Sequence, residues 1–145
     1  MLNNLTVKKN IRTFSVCPEN PSGKKGEGGK ATLDMTDAYR MNGATSVKRE
    51  FEFYDNSCLK ISDKIKCIVP SEIYWFMHTK ADIEITENGK SATLTLNGKQ
   101  MKATLTGDGE FSVMKAESLK GRYEYDDSYS DIQKLTVHLE GAKTA

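Results

Sequence analysis

Few residue types in this 145-residue chain could do chemistry, and they can be weighed one at a time. His78 and His138 are its two histidines, and His78 lies in the run Ser71-Glu72-Ile73-Tyr74-Trp75-Phe76-Met77-His78-Thr79, which also holds the single tryptophan. To act as a general base, His78 needs a nucleophile or acid beside it, and neither Gly-x-Ser-x-Gly nor a Cys–His arrangement is present. A zinc site wants three or four convergent ligands, and no His-x-x-His or His-Glu-x-x-His spacing supplies them. No metal and no cofactor is therefore expected. Carboxylates are too numerous to single out an acid–base pair, so spacing alone names no catalytic residue.

The cysteines are Cys17, Cys58 and Cys67, with no Cys-x-x-Cys. If Cys58 and Cys67 share one strand they sit about 30 Å apart at strand rise. A disulfide needs Cα atoms within about 7 Å, so these two cannot pair. The reading is structural thiols, not a disulfide scaffold.

Charge placement is more informative. Val47, Arg49, Phe51 and Phe53 share one face of a strand, and Leu59, Ile61, Asp63, Ile65 and Cys67 share one face of the next. A turn at Asp55-Asn56-Ser57 sets Phe53 against Leu59, Phe51 against Ile61 and Val47 against Ile65. A one-residue slip would move one apolar face to solvent. This register places Arg49 opposite Asp63 on an apolar face. It could be a site arginine held by a carboxylate; the preferred reading is a buried structural ion pair.

The elements that must position these groups are strands. In 71–79, Ile73, Trp75 and Met77 share one face, Tyr74 and Phe76 the other, which reads as a central strand buried on both sides. Residues 81–105 read as a three-stranded meander turning at Asn88-Gly89 and Asn97-Gly98, because Asn-Gly suits turns with positive φ. It sets Ile85 against Ala92, Ile83 against Leu94, Leu94 against Met101 and Ala92 against Ala103. Its other face carries Asp82, Glu84, Thr93, Thr95, Gln100 and Lys102. Residues 5–16 and 31–34 read as strands, 35–40 as a helical turn or corner, and Leu135, Val137 and Leu139 as the inward face of a last strand, with His138 outward. The Gly- and Pro-rich run 18–30 lacks Walker spacing and reads as a loop. About ten strands and no long helix give an all-β antiparallel β-sandwich, one module over residues 1–145.

Composition narrows the function classes. Twenty-one basic and twenty acidic side chains leave a net charge of +1, without the basic excess of a nucleic-acid binder. No apolar run approaches the roughly 20 residues of a membrane helix. The start, Met1 to Lys9, shows no apolar signal-peptide core. Tyr123, Tyr125 and Tyr129 cluster among acidic residues in a loop over 118–131, where tyrosines either stack on sugars or anchor the loop.

From Ala31 to Leu139 an ordered series of segments carries a family likeness: Leu33-Asp34-Met35-Thr36-Asp37-Ala38-Tyr39, Lys48-Arg49-Glu50-Phe51, Ile61-Ser62-Asp63, Trp75-Phe76-Met77-His78-Thr79, Asn97-Gly98-Lys99 and Lys134-Leu135-Thr136-Val137. In this order they resemble the later β-sandwich part of the heparinase II/III-like polysaccharide lyases, over residues 31–140. The resemblance implies a secreted or periplasmic setting and a glycosaminoglycan as the polysaccharide partner. Such lyases cleave uronate-containing chains by β-elimination, with a Tyr or His taking the C5 proton and an acid assisting the leaving oxygen. Those groups come largely from an N-terminal helical toroid and from segments upstream of the matched part, and residues 1–30 are too short to be one. The resemblance therefore implies a sandwich module without catalytic residues of its own, one that supports a toroid or lines a substrate cleft. The alternatives are a free-standing carbohydrate-binding module, with Trp75, His78, Tyr123 and Tyr125 as contacts, and a protein-interaction domain.

Overall fold

A computed structural model describes residues 12–16, 29–54, 58–116 and 131–144. Among them are nine strands: β1 (Arg12–Val16), β2 (Lys30–Asp34), β3 (Ala44–Tyr54), β4 (Cys58–Thr79), β5 (Asp82–Ile85), β6 (Ser91–Leu96), β7 (Lys99–Thr106), β8 (Phe111–Lys115) and β9 (Gln133–Thr144). A helical turn, α1 (Thr36–Tyr39), and a 3-10 turn at Arg40–Asn42 join β2 to β3. Every pairing is antiparallel. The fold is the expected all-β sandwich, with nine described strands rather than about ten.

The larger layer runs β2-β3-β4-β1-β7-β6-β5; β9 pairs with β4 and β8. The 22-residue β4 belongs to both layers. Its first half pairs with β3 and β1, and it pairs with β9 at Lys66 and then from Ser71 onward. The change of partner comes at Ile68-Val69-Pro70. The Ile68 N–H donates to Gly43 O and closes the β3 ladder, and the β4–β9 register shifts between Lys66 and Ile73. Pro70 has no N–H to give to a ladder, which suits a bend between sheets.

The core fills the space between the layers. Ala92, Leu94, Ala103 and Leu105 come from β6 and β7, Phe111 from β8, and Leu135, Val137 and Leu139 from β9; Ile61, Ile65, Ile73, Trp75 and Met77 pack against them. Two expected registers are realised. Phe53 pairs with Leu59, Phe51 with Ile61, Val47 with Ile65 and Arg49 with Asp63. In the meander, Ile83 pairs with Leu94, Ile85 with Ala92, Ala92 with Ala103 and Leu94 with Met101. At Asn97-Gly98 both residues have positive φ, 51° and 73°, as a type I′ turn requires. The other turn differs: only Gly89 has positive φ, and the Asn88 side chain instead accepts from the Lys90 N–H.

Two expectations need correction. The run 71–79 is not a strand buried on both faces. It has β9 as its one neighbour among the described strands, and Tyr74 and Phe76 are 44% and 40% exposed. Apolar residues on both faces here mean a core on one side and an aromatic outer surface on the other. Second, Cys58 is disulfide-bonded and not a free thiol. Cys67 is the free one, so these two do not pair, as their separation along β4 requires. Cys17, the Gly-rich run up to residue 28, residues 5–11 and the tyrosine-bearing loop 117–130 lie outside the described residues.

Candidate functional site

The second half of β4 alternates with a period of two, so Glu72, Tyr74, Phe76 and His78 project from the outer face and Ile73, Trp75 and Met77 from the inner one. Register sets Tyr74 beside His138, Phe76 beside Thr136 and His78 beside Lys134. Tyr74 lies flat on His138, with centroids 4.0 Å apart and planes 5° from parallel. Phe76 continues the row, its centroid 5.7 Å from that of Tyr74 at an interplanar angle of 16°. The Lys134 ammonium stands 4.8 Å from the Phe76 centroid, within cation–π range.

Both covering groups, His138 and Lys134, belong to β9. Two nearly parallel rings thus stand in a row, each contacted from β9 and each still partly exposed. His78 stands at one end, tilted 58° to Phe76. Thr136, beneath the rings, has no exposed surface, and its hydroxyl donates to the Lys134 carbonyl. The row is therefore set on a packed base.

At its other end the row is acidic. Burial against the neighbouring rings, followed by the negative charge of Glu72, raises the Tyr74 phenol above its ordinary value. The buried His138 Nε2 has no hydrogen-bond partner, and the nearest acid oxygen is Glu72 Oε2 at 3.7 Å. Glu72 and Glu140 flank this end, while Lys134 and His78 mark the other.

On the inner side of the same strand, Ile73 and Trp75 face a cleft of about 450 Å³ between the layers. Its opposite wall holds Val47, Ile61, Ile65 and the Arg49–Asp63 pair. Arg49 donates from Nε and Nη2 to the two Asp63 carboxylate oxygens, 2.7 Å each. Those bonds hold the guanidinium above its usual pKa, against burial, which lowers it. The expected ion pair is present, bidentate, with Asp63 buried.

The residues singled out from the sequence thus separate. His78 stands on the outer row. Trp75, half-buried, packs against the core, so the open aromatic surface belongs to its neighbours Tyr74 and Phe76. Tyr123 and Tyr125 lie outside the described residues. Among the described residues, no group of three or more His, Cys, Asp or Glu side chains is placed to hold a metal ion. Sequence reasoning passed over Tyr74, Phe76 and Lys134 as candidates; the signal present was a second alternating set, 74/76 against 134/138, that falls on one outer face. No protein-family model and no curated protein matches the chain.

Proposed function

We propose that this chain is a non-catalytic carbohydrate-binding β-sandwich module that holds a polysaccharide chain along the Tyr74–Phe76 row. The observation that carries the reading is the pair of neighbouring, nearly parallel rings, each held by a group from β9 and each partly exposed. Sugar rings present C–H faces that lie flat on such aromatic surfaces, and a row of two suits successive residues of a chain better than a single small molecule. Lys134 and His78 at one end supply donors for hydroxyl, carboxylate or sulfate groups.

The resemblance to the sandwich part of heparinase II/III-like lyases supports a uronate-containing glycosaminoglycan as the chain, and a place beside a catalytic toroid. The disulfide at Cys58 suits the oxidising, secreted or periplasmic setting that this resemblance implies.

Affinity electrophoresis in gels cast with heparan sulfate, chondroitin sulfate or a neutral glucan tests the reading. Retardation by the uronate polymers, reduced about tenfold in affinity by Tyr74→Ala or Phe76→Ala with folding unchanged, is expected. Equal retardation by the neutral glucan would remove the uronate assignment, and no retardation by any polymer would remove carbohydrate binding. Steady appearance of unsaturated-uronate absorbance on incubation with heparan sulfate, lost in His78→Ala, would replace the module with an enzyme.

A further inference from the structure

We propose that the cleft between the layers is a second binding site, for a small neutral amphipathic molecule whose carbonyl or hydroxyl oxygen accepts from Arg49. This goes beyond the polysaccharide reading and does not rest on it: Ile73 and Trp75 wall the cleft from the inner face of β4, although Tyr74 and Phe76 also border it.

Four observations carry the proposal. The cleft, about 450 Å³, falls within the range of small-molecule pockets, roughly 300–1,000 Å³. Its lining is dominated by aliphatic and aromatic side chains, among them Val47, Ile65, Ile73 and Trp75. A charged pair stands in that lining: Arg49 gives Nε and Nη2 to Asp63, and its Nη1 has no hydrogen-bond partner among the described residues. Tyr39, Asn42 and Ser71 also border the cleft, as does Glu72, whose carboxylate lies by His138 and Tyr74. A mostly apolar cleft with a donor-bearing residue in its wall is the usual form of a site that orients an amphipathic guest.

Charge decides the class of guest. Asp63 already neutralises Arg49 in a bidentate pair, so a ligand carboxylate approaching Nη1 would meet the Asp63 charge with no unmatched positive charge to offset it. A cation would have to compete with Arg49 for Asp63, and the other acid bordering the cleft, Glu72, is turned to His138 and Tyr74. A neutral oxygen needs neither: it accepts from Nη1 and leaves the pair intact, while the apolar body of the ligand covers the aliphatic wall.

The test uses the fluorescent ketone 6-propionyl-2-dimethylaminonaphthalene, which is neutral and carries one carbonyl, with the sole tryptophan, Trp75, as a second reporter inside the cleft. Saturable binding at one probe per chain, a blue shift of its emission and quenching of Trp75 are expected. Ile65→Trp, which fills the cleft, should abolish binding with the circular dichroism unchanged. Arg49→Lys keeps a charge opposite Asp63 but loses the planar fork. It should weaken the ketone about tenfold and leave 2-dimethylaminonaphthalene, the same ring system without the carbonyl, unaffected. His138→Ala, at a residue that does not line the cleft, should impair polysaccharide retention and not probe binding. The proposal is overturned if the ketone fails to saturate, if Ile65→Trp still binds it, if Arg49→Lys weakens both probes equally, or if an anionic naphthalene sulfonate binds as tightly as the ketone.

Discussion

Tyr74 and His138 lie face to face across the β4–β9 pair, 4.0 Å between ring centroids and 5° from parallel. One face of the tyrosine is thereby committed to the protein, and the ring is held upright on the sheet before any ligand arrives. A rotamer fixed in advance need not be frozen on binding, which otherwise costs about 0.5–1.5 kcal/mol per side chain.

His138→Ala should therefore weaken polysaccharide retention by about threefold to tenfold while leaving Tyr74 in place. Isothermal titration of wild type and variant against the same heparan sulfate preparation measures the loss. Equal affinities would show that the backing ring has no orienting role.

The phenol of Tyr74 should ionise above the ordinary tyrosine value of 10.0, since burial disfavours the phenolate and the Glu72 charge adds to it. Ultraviolet difference titration of wild type against Tyr74→Phe isolates this group among the six tyrosines. Glu72→Gln should move the titration back toward the ordinary value, removing the second cause and leaving the first.

Arg49 and Asp63 form a pair on an otherwise apolar wall. Arg49→Met leaves a buried carboxylate unmatched and should cost about 3 kcal/mol, the lower end for broken buried pairs because Arg49 keeps some contact with solvent. The double variant Arg49→Met/Asp63→Leu should recover most of that loss, because no charge is then left unpaired. Urea unfolding of wild type, both single variants and the double variant closes the cycle.

Two glycines in turns should respond differently. Gly98→Ala meets nothing within 4 Å and should cost about 1 kcal/mol, the strain of a left-handed backbone at φ +73°. At Gly109, φ +85°, an added Cβ would also come within 2.7 Å of Leu139 Cδ2 and 2.8 Å of Val137 Cγ1. Gly109→Ala should then cost about 3 kcal/mol, adding overpacking of β9 to the strain. Thermal unfolding should rank wild type above Gly98→Ala and Gly98→Ala above Gly109→Ala.

Acid should loosen the β2 edge first. Hydrogen bonding and charge from Lys64, with Lys30, hold Glu50 below its ordinary 4.5, and a hydrogen bond from Tyr54, then Lys60 and Lys30, does the same for Glu52. A carboxylate whose folded pKa is depressed contributes stability that is present above the unfolded value, here 4.5, and lost as pH falls through the folded one. Amide exchange in β2, corrected for its intrinsic pH dependence, should accelerate relative to β6 as pH falls below 4.5. High salt should reproduce part of the effect at neutral pH, because these pairs are open to solvent. An unchanged ratio of β2 to β6 protection would exclude these pairs as the tether.

What could be read from the sequence was whatever alternation alone decides. Arg49 could be set opposite Asp63 because three flanking apolar pairs fix one register, and the meander followed because Asn97-Gly98 leaves little choice of turn. The position of 71–79 was not legible. Alternating apolar residues on two faces describe a strand between layers and equally a strand with a core behind it and aromatic rings in water. Only the change of partner at Ile68-Val69-Pro70 distinguishes them, and its one local sign is Pro70. Nor could Cys58 be recognised as disulfide-bonded, since spacing within β4 speaks only to its pairing with Cys67.

The division of β4 between two layers has a consequence for how the chain is made. Its first half can form its long hairpin with β3 as soon as Cys67 has left the ribosome, since both partners are then available. The second half must wait for β9, and Gln133–Leu139 are synthesised well after the meander is complete. Until then Tyr74 and Phe76 lack His138 and Lys134, and the inner residues Ile73, Trp75 and Met77 lack their roof. The aromatic row is thus the last part of the sandwich to be assembled during synthesis, and a chain stopped before residue 133 would carry the aromatic residues without the row.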